Sequence, residues 1–219
     1  MLPLLYALLV LALVIVLYLT VIRPRQLTWG ASPEEAASTL HGDDIVQTPH
    51  FVATRAITIQ APPAEVWQWI IQIGSGRAGW YSLDFLDNGN VPSSREILPQ
   101  FQQISLDHYV PFTPDQKNGM WVKAFAEADY ILWWDQKGNA TWGWYLAATG
   151  DGATRLITRL RTRYDLTFPW VIYFAIYDFG DIVMMSKCMK GIKARAEAHW
   201  VHGLHDDGHW RQDRELRLS

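Results

Sequence analysis

The stretch from Ala53 to Asp87 restricts the possible folds more than any other part of the chain. It begins with apolar residues that alternate with polar ones, a pattern typical of a β-strand. Pro62-Pro63 then starts an amphipathic helix, because proline is tolerated in a first helical turn, where its missing N–H has no partner in any case. Gly74 and Gly76 end this helix, and a second short element is predicted from Trp80 to Leu86. The apolar positions of the first helix recur at i, i+4 and i+7: Val66, Ile70 and Ile73.

Strand-like segments separated by short turns follow this opening. The turns are predicted at residues 126–129, 136–139 and 150–152. Strands joined by such turns pair antiparallel, because a parallel pair needs a long crossover connection. The sequence therefore predicts a curved antiparallel meander, followed by a long helix over 178–199.

The last predicted strand, 154–165, alternates with a sharp period of two. One face carries Leu156, Leu160 and Tyr164, which predicts an inner, apolar side. The other face carries four arginines: Arg155, Arg159, Arg161 and Arg163. We expect this basic face to be exposed to solvent. The alternative is that one or two of the arginines bind an anionic ligand or a lipid headgroup.

The sequence of residues 55–88, RAITIQAPPAEVWQWIIQIGSGRAGWYSLDFLDN, resembles the START-like (SRPBCC) superfamily. This superfamily includes the polyketide cyclase/dehydrase group and the Bet v 1-like proteins. The chain is most similar to a bacterial branch with an N-terminal membrane segment, and the resemblance covers about Trp29 to Glu197. It implies an α+β helix-grip fold, in which a curved antiparallel β-sheet wraps around a long C-terminal helix. The superfamily contains binders, carriers and enzymes, so the resemblance is specific for fold and not for function.

Residues 2–22 contain no charged side chain and are almost entirely aliphatic. As a helix this run is roughly 31 Å long, which matches the hydrocarbon core of a bilayer. A cleaved signal peptide is the alternative, but it would carry a basic segment before a shorter apolar run. We therefore predict a single transmembrane anchor in the cell membrane. Arg23 and Arg25 follow the run, and the positive-inside rule then places the rest of the chain in the cytoplasm.

The chain divides into four predicted regions. The anchor and its basic flank occupy 1–25, and a tether with a short helix occupies 26–52. Ser32-Pro33 begins that helix, and Glu35 completes a capping box with Ser32. The helix-grip domain is predicted over 53–199, and 200–219 is predicted to be a disordered tail.

The candidate ligand-binding residues come from the glycine-rich stretch after the first helix and from the strands. Arg77, Trp80, Tyr81 and Asp84 are predicted at the mouth between the small helices and the sheet, with Asp87 close by. The alternative for Arg77 is a structural ion pair with an aspartate. Strand tryptophans supply the predicted apolar lining, although a shift of one residue in register would turn each of them to the other face: Trp121, Trp133, Trp142 and Trp144.

Residues 166–177 combine several aromatic side chains with Pro169 in a run that is too short to cross a bilayer. We expect this segment to be buried against the sheet, with docking at the membrane interface or gating of the pocket as the alternative. The histidines His199, His202, His205 and His209 do not predict a metal site, because glycines and aspartates interrupt their helix.

Composition limits the remaining function classes. The net charge of −3 gives no indication of nucleic-acid binding. The single cysteine, Cys188, excludes an intrachain disulfide, and no cofactor motif is present. We expect the protein to bind a small hydrophobic molecule, either a lipid or a polyketide- or isoprenoid-like compound. The alternatives are a cyclase/dehydrase-like enzyme with Asp84 or Tyr81 as acid or base, and a structural membrane-surface module without ligand.

Overall fold

The computed structural model describes residues 2–164, 167 and 170–216, without the side chains of 170–176, 179 and 202–216. The first half contains α1 (Leu2–Leu17), a π-helical turn (Tyr18–Ile22), α2 (Arg23–Leu27), α3 (Pro33–Ala37), β1 (Phe51–Ile59), α4 (Pro63–Ile71), α5 (Asp84–Asp87) and a 3₁₀ turn (Pro99–Phe101). The second half contains β2 (Tyr109–Pro111), β3 (Gly119–Ala126), β4 (Tyr130–Trp134), β5 (Ala140–Ala148), β6 (Thr154–Thr162) and α6 (Trp170–Leu216).

The six strands form one antiparallel sheet in the order β1-β6-β5-β4-β3-β2. Strands β2 to β6 follow one another as a meander, and β1 returns to pair with β6 from Phe51↔Thr162 to Ile59↔Thr154. Helix α6 packs along one side of this sheet, called here the inner face, on which Leu156 and Leu160 of β6 lie buried. The predicted α+β helix-grip fold is confirmed, with a curved open sheet around the long helix and an apolar helix before it.

Local sequence signals explain where the early helices begin. Pro63 occupies the first turn of α4, as predicted, and Glu65 in that turn accepts hydrogen bonds from Trp69 Nε1 and His199 Nδ1, both at 2.9 Å. At α3, Ser32 and Glu35 form the predicted reciprocal capping box. Proline in the first turn removes one backbone N–H that would have no partner in both helices, and at α3 the Ser32 side chain satisfies another, whereas α4 has no side-chain cap.

The prediction of a solvent-exposed arginine face on β6 is wrong. Residues 30–46 cross the outer face of the sheet and cover it. Arg159 is only 3% exposed and forms an ion pair with Asp43 at 2.6 Å. Arg155 pairs with Glu35 at 2.7 Å, whereas Arg163, the last of the four, remains exposed. The tether contains both carboxylates, so its sequence complements the basic face.

Helix α1 buries none of its residues, and the apolar helical stretch Leu2–Leu27 is long enough to cross a membrane. By length and composition alone a signal sequence would pass the same test. The end of this stretch contacts α6. Arg23 Nε and Nη2 donate to Asp178 Oδ2 at 2.9 and 2.7 Å, and Gln26 Nε2 donates to the carbonyl oxygen of Asp178 at 3.1 Å.

Two predicted segments fall largely outside the described side chains. The backbone of α6 begins at Trp170, so the interfacial or buried role of the 166–177 aromatics remains a prediction. The helix continues past residue 199 to Leu216, and disorder of 200–219 also remains a prediction.

Candidate functional site

A cavity of about 650 Å³ lies between the inner face of the sheet, the α5 segment and α6. Trp142 and Leu160 form part of its floor, and Met184, Met185 and Cys188 of α6 form a wall. The volume falls in the range of small-molecule sites, and the lining is predominantly apolar. Methionines on one wall suit ligands of variable shape, because their side chains are flexible and polarizable.

Four of the tryptophans meet at the base of the cavity. Trp80 stacks on Trp142 with ring centroids 5.6 Å apart and an interplanar angle of 5°. Trp133 and Trp144 lie behind Trp142, with centroids 5.2 and 5.3 Å from its ring. Trp80 and Trp142 line the cavity itself, and the other two are fully buried behind them. These four predicted residues are brought together, because Trp133 and Trp142 are direct partners across β4 and β5.

Trp121 does not join this cluster. It follows Met120, which lines the cavity, and therefore lies on the opposite face of β3, beside Tyr109 with ring centroids 4.9 Å apart. The sequence alone did not determine which face of the sheet Trp121 occupies, because the face depends on the register of the strand.

Arg77, Tyr81 and Asp84 have partners outside the cavity lining. Arg77 lies over the Phe101 ring at 4.6 Å and donates to the carbonyl oxygen of Ile71, and burial lowers the pKa of its guanidinium. It forms no ion pair with an aspartate among the described residues.

Tyr81 is buried beneath α6. Its hydroxyl donates to the carbonyl oxygen of Trp69 at 3.2 Å and accepts from Gln72 Nε2 at 2.7 Å, and burial raises its pKa. Gly191 allows α6 to approach, because a Cβ there would lie 2.2 Å from the Tyr81 carbonyl oxygen. Asp84 accepts from the amide and hydroxyl of Ser93 at 3.0 and 2.5 Å. Both side chains hold the fold around the cavity without facing it.

Asp87, which the sequence placed beside the candidate ligand-binding residues and not among them, is a polar residue of the cavity lining. It lies at the end of α5 and lines the cavity, and both carboxyl oxygens are shielded from solvent without a well-formed hydrogen bond in the described part of the chain. Burial, and then the nearby Asp84 carboxylate, raise its pKa to about 6, and weak hydrogen bonds from Ser82 and from the amides of Leu83 and Asp87 oppose this rise. The sequence feature that indicates Asp87 is its position three residues after Asp84, which places both carboxylates on one turn of helix.

Asp181 provides a second carboxyl at the other wall. Its Oδ2 lies 2.6 Å from Nη1 of Arg55, and the two side chains are 6% and 1% exposed. Burial raises the pKa of Asp181, and the attraction of Arg55 opposes this rise. Arg55 Nε also donates to the carbonyl oxygen of Gln26 at 2.9 Å, so this charged pair connects the cavity wall to α2.

We expect Asp87→Asn to stabilise the protein at pH 7.5 by about 1 kcal/mol, or about 2–4 °C in Tm. The folded-state pKa of Asp87 lies above the ordinary value, so its stability contribution is present below about pH 4 and is lost as pH rises through about 6. Thermal unfolding of the parent and the variant between pH 4 and 8 measures this difference. The prediction would be contradicted if the stability of Asp87→Asn relative to the parent did not increase between pH 4 and pH 7.5.

The described residues contain no group of three or more His, Cys, Asp and Glu side chains that could hold a metal ion. His199 is held by Glu65, and the side chains of His202, His205 and His209 lie outside the described residues. Cys188 is buried, and burial raises the pKa of its thiol, which disfavours the reactive thiolate.

No protein-family model matches the chain, and no curated protein matches it. Among solved structures, a conserved protein of unknown function from Enterococcus faecalis is 13% identical, with a TM-score of 0.42 over 75% of this chain and 95% of that one. The Aha1 dimer from Colwellia psychrerythraea is 10% identical, with a TM-score of 0.39 over 65% of this chain and 96% of that one. A protein from Chromobacterium violaceum is 14% identical, with a TM-score of 0.38 over 67% of this chain and 96% of that one.

Proposed function

We propose that the protein is a membrane-tethered, START-like helix-grip binder that holds one small hydrophobic molecule between the sheet and α6. The observation that carries this proposal is the apolar cavity of about 650 Å³ above the tryptophan cluster. Trp80 and Trp142 provide broad, rigid contact surfaces, and Met184 and Met185 adapt to the ligand. The ligand class is a lipid or a polyketide- or isoprenoid-like compound.

The polar groups of the cavity favour a ligand with one polar end. Asp87 lines the wall, and only weak hydrogen bonds from Ser82 and from the amides of Leu83 and Asp87 itself reach its carboxyl group. Nε1 of Trp80 has no acceptor among the described residues. A buried donor or acceptor without a partner costs about 1–3 kcal/mol. A hydroxyl group on the ligand could donate to the Asp87 carboxylate or accept from Nε1 of Trp80, so we expect an amphiphile and not a plain hydrocarbon.

The contacts of α2 support retention of the N-terminal helix as an anchor. Arg23 and Gln26 bond to Asp178, and Gln26 in turn accepts from the buried Arg55. A signal sequence is removed from the mature protein, whereas this helix is continuous with residues that complete the domain. The proposed protein is therefore fixed at a membrane surface by the same segment that covers its own charged pair.

Gly180 allows a direct test of the cavity. It lines the cavity, and a Cβ at this position meets nothing within 4 Å. We expect Gly180→Phe to fill the cavity without strain and to reduce the co-purifying ligand at least about tenfold, the ratio that corresponds to about 1.4 kcal/mol. Gly150→Phe is the matched control, because Gly150 lies in an exposed turn, also with nothing within 4 Å of a Cβ.

The measurement uses the full chain, extracted from membranes in polymer nanodiscs, with organic extraction and mass spectrometry of the bound molecules. A compound that is present at about one per chain in the parent and in the Gly150 variant, and is depleted in the Gly180 variant, would support the binder. Equal amounts in all three proteins, or none in any, would overturn it.

The position of Asp87 favours one second candidate, a cyclase/dehydrase-like enzyme. A carboxyl with a pKa of about 6 at the wall of an apolar cavity can donate or accept a proton near neutral pH. Asp87 replaces Asp84 and Tyr81 in this role, because their polar atoms are engaged elsewhere. If the compound from Asp87→Asn differs in mass from that of the parent, the enzyme is favoured; an identical mass favours the binder.

A further inference from the structure

The anchor helix contacts the domain before its apolar run ends. Tyr18 lies four residues inside the end of that run, and its hydroxyl lies 3.4 Å from Asp178 Oδ1. Arg23, one residue beyond the run, bonds to the same carboxylate at 2.7 Å. No flexible spacer therefore separates the membrane segment from α6.

The length of the run fixes the depth of this contact. A bilayer core of about 30 Å requires about 20 helical residues, so all of residues 2–22 is needed to cross it. Tyr18 is then about 6 Å from the end of the span, near the boundary between hydrocarbon and headgroups. Asp178 lies beside it and is therefore at the level of the lipid headgroups.

The mouth of the cavity is at this same end of α6. Asp181, one turn after Asp178, lines the cavity, and so does Thr162 at the end of β6. Two apolar residues both line the cavity and are exposed, so they stand at its rim: Leu86 of α5 is 62% exposed and Val183 of α6 is 46% exposed. Phe85, beside Leu86, is 64% exposed. The three together, called here the apolar rim, place adjacent hydrophobic side chains on both sides of the opening.

The charges beside the apolar rim suit an anionic lipid surface. Lys187 follows Val183 by one turn of α6 and is exposed, and Arg25 is exposed at the end of the anchor. Basic side chains next to a membrane segment are attracted to acidic headgroups. The apolar rim and these two cations are the combination expected for contact with lipid.

We propose that the apolar rim is seated in the bilayer and that the cavity exchanges its ligand directly with the lipid leaflet. The hydrogen bonds of Tyr18 and Arg23 with Asp178 hold the mouth of the cavity against the membrane. An apolar ligand then moves between lipid and cavity without crossing water. The ligand exchange rests on the proposed function, whereas the contact of the apolar rim with lipid does not.

The test measures the depth of the apolar rim in the full chain, in nanodiscs of phosphatidylcholine and phosphatidylglycerol. Val183→Cys is labelled with a small environment-sensitive fluorophore in a chain with Cys188→Ala, which leaves one thiol. Gly150→Cys is the matched control, because the 149–153 turn lies beyond Thr154, at the end of β6 about 26 Å from Thr162. Lipids with a nitroxide near the headgroup are the quencher.

We expect quenching at position 183 to exceed that at position 150 several-fold, and a label at Leu86→Cys to behave like that at 183. Equal, weak quenching at all three positions would overturn the inference, even if a ligand co-purifies. Strong quenching at 183 and 86 would support the membrane contact, even if no compound distinguishes the parent from Gly180→Phe. The two proposals therefore fail on different measurements.

Discussion

Arg55→Met is expected to lower the free energy of unfolding by about 3–5 kcal/mol at pH 7.5, because it leaves a buried carboxylate without its partner. Arg55 and Asp181 are 2.6 Å apart and almost fully inaccessible to solvent. The variant also removes the donor to the carbonyl oxygen of Gln26. Urea denaturation of the full chain in detergent, followed by tryptophan fluorescence, measures the loss.

The charge state of Asp181 gives this prediction a second readout. Burial already raises the pKa of Asp181 against the attraction of Arg55, and removal of Arg55 raises it further. The carboxyl of the variant then takes up a proton as pH falls, and a neutral carboxyl is less costly to bury. The deficit is expected to shrink at acidic pH, since the folded variant binds that proton more tightly than the unfolded chain.

Two further variants distinguish the cost of an unpaired buried charge from the cost of lost side-chain packing. Arg55→Met combined with Asp181→Leu is expected to recover most of the loss, because no unpaired charge remains. Lys117→Met is the matched control, since Lys117 and Asp115 are exposed and 3.9 Å apart. A loss for Arg55→Met no larger than that for Lys117→Met would contradict the prediction.

Arg159→Met is expected to lower the free energy of unfolding by about 3 kcal/mol and to loosen the tether from the sheet. The Arg159 guanidinium donates to Asp43, to Thr54 Oγ1 and to three tether carbonyls, those of Glu35, Ala36 and Ser38. Loss of these bonds leaves several acceptors without a partner at a site that is nearly closed to solvent.

Denaturant unfolding and limited proteolysis between residues 38 and 47 test this prediction together. Arg163→Met is the matched control, because Arg163 directly follows β6 and is exposed and bonded to Asn139. We expect the control to change stability by less than about 0.5 kcal/mol. Unchanged cleavage and stability in Arg159→Met would show that the tether is held by other contacts.

Signals that act within a few residues predicted the elements well. The capping box of Ser32 and Glu35 and the proline start of α4 both appear in the structure as expected, because their partners are three residues away or less. The order of β3 to β6 also followed from the short turns, whereas the pairing of β1 with β6 joins segments about 100 residues apart and did not. Local signals thus specify the helices and the hairpins of the fold, and contacts between distant residues complete it.

The candidate site was less accessible to sequence reasoning, because it depends on contacts between distant residues. The face of Trp121 depends on register across β3, and the partners of Arg77 and Asp84 come from separate segments. The covered arginine face depends on pairing between Asp43 and Arg159, which are 116 residues apart. Residue type predicted the presence of polar and aromatic groups near the cavity, but not which of them would line it.

The contacts that join both ends of the chain have a consequence for the order of folding. Arg23 and Asp178 are 155 residues apart, and Glu35 and Arg155 are 120 apart. During synthesis the apolar N-terminal helix and the tether emerge long before their partners on β6 and α6. At a translation rate of about 5–20 residues per second, about 6 to 30 seconds pass before these partners are synthesised, and the acidic groups of the tether stay unpaired during that time. High contact order of this kind slows folding. Completion of the domain is therefore a late event in folding, because it waits for the C-terminal third of the chain.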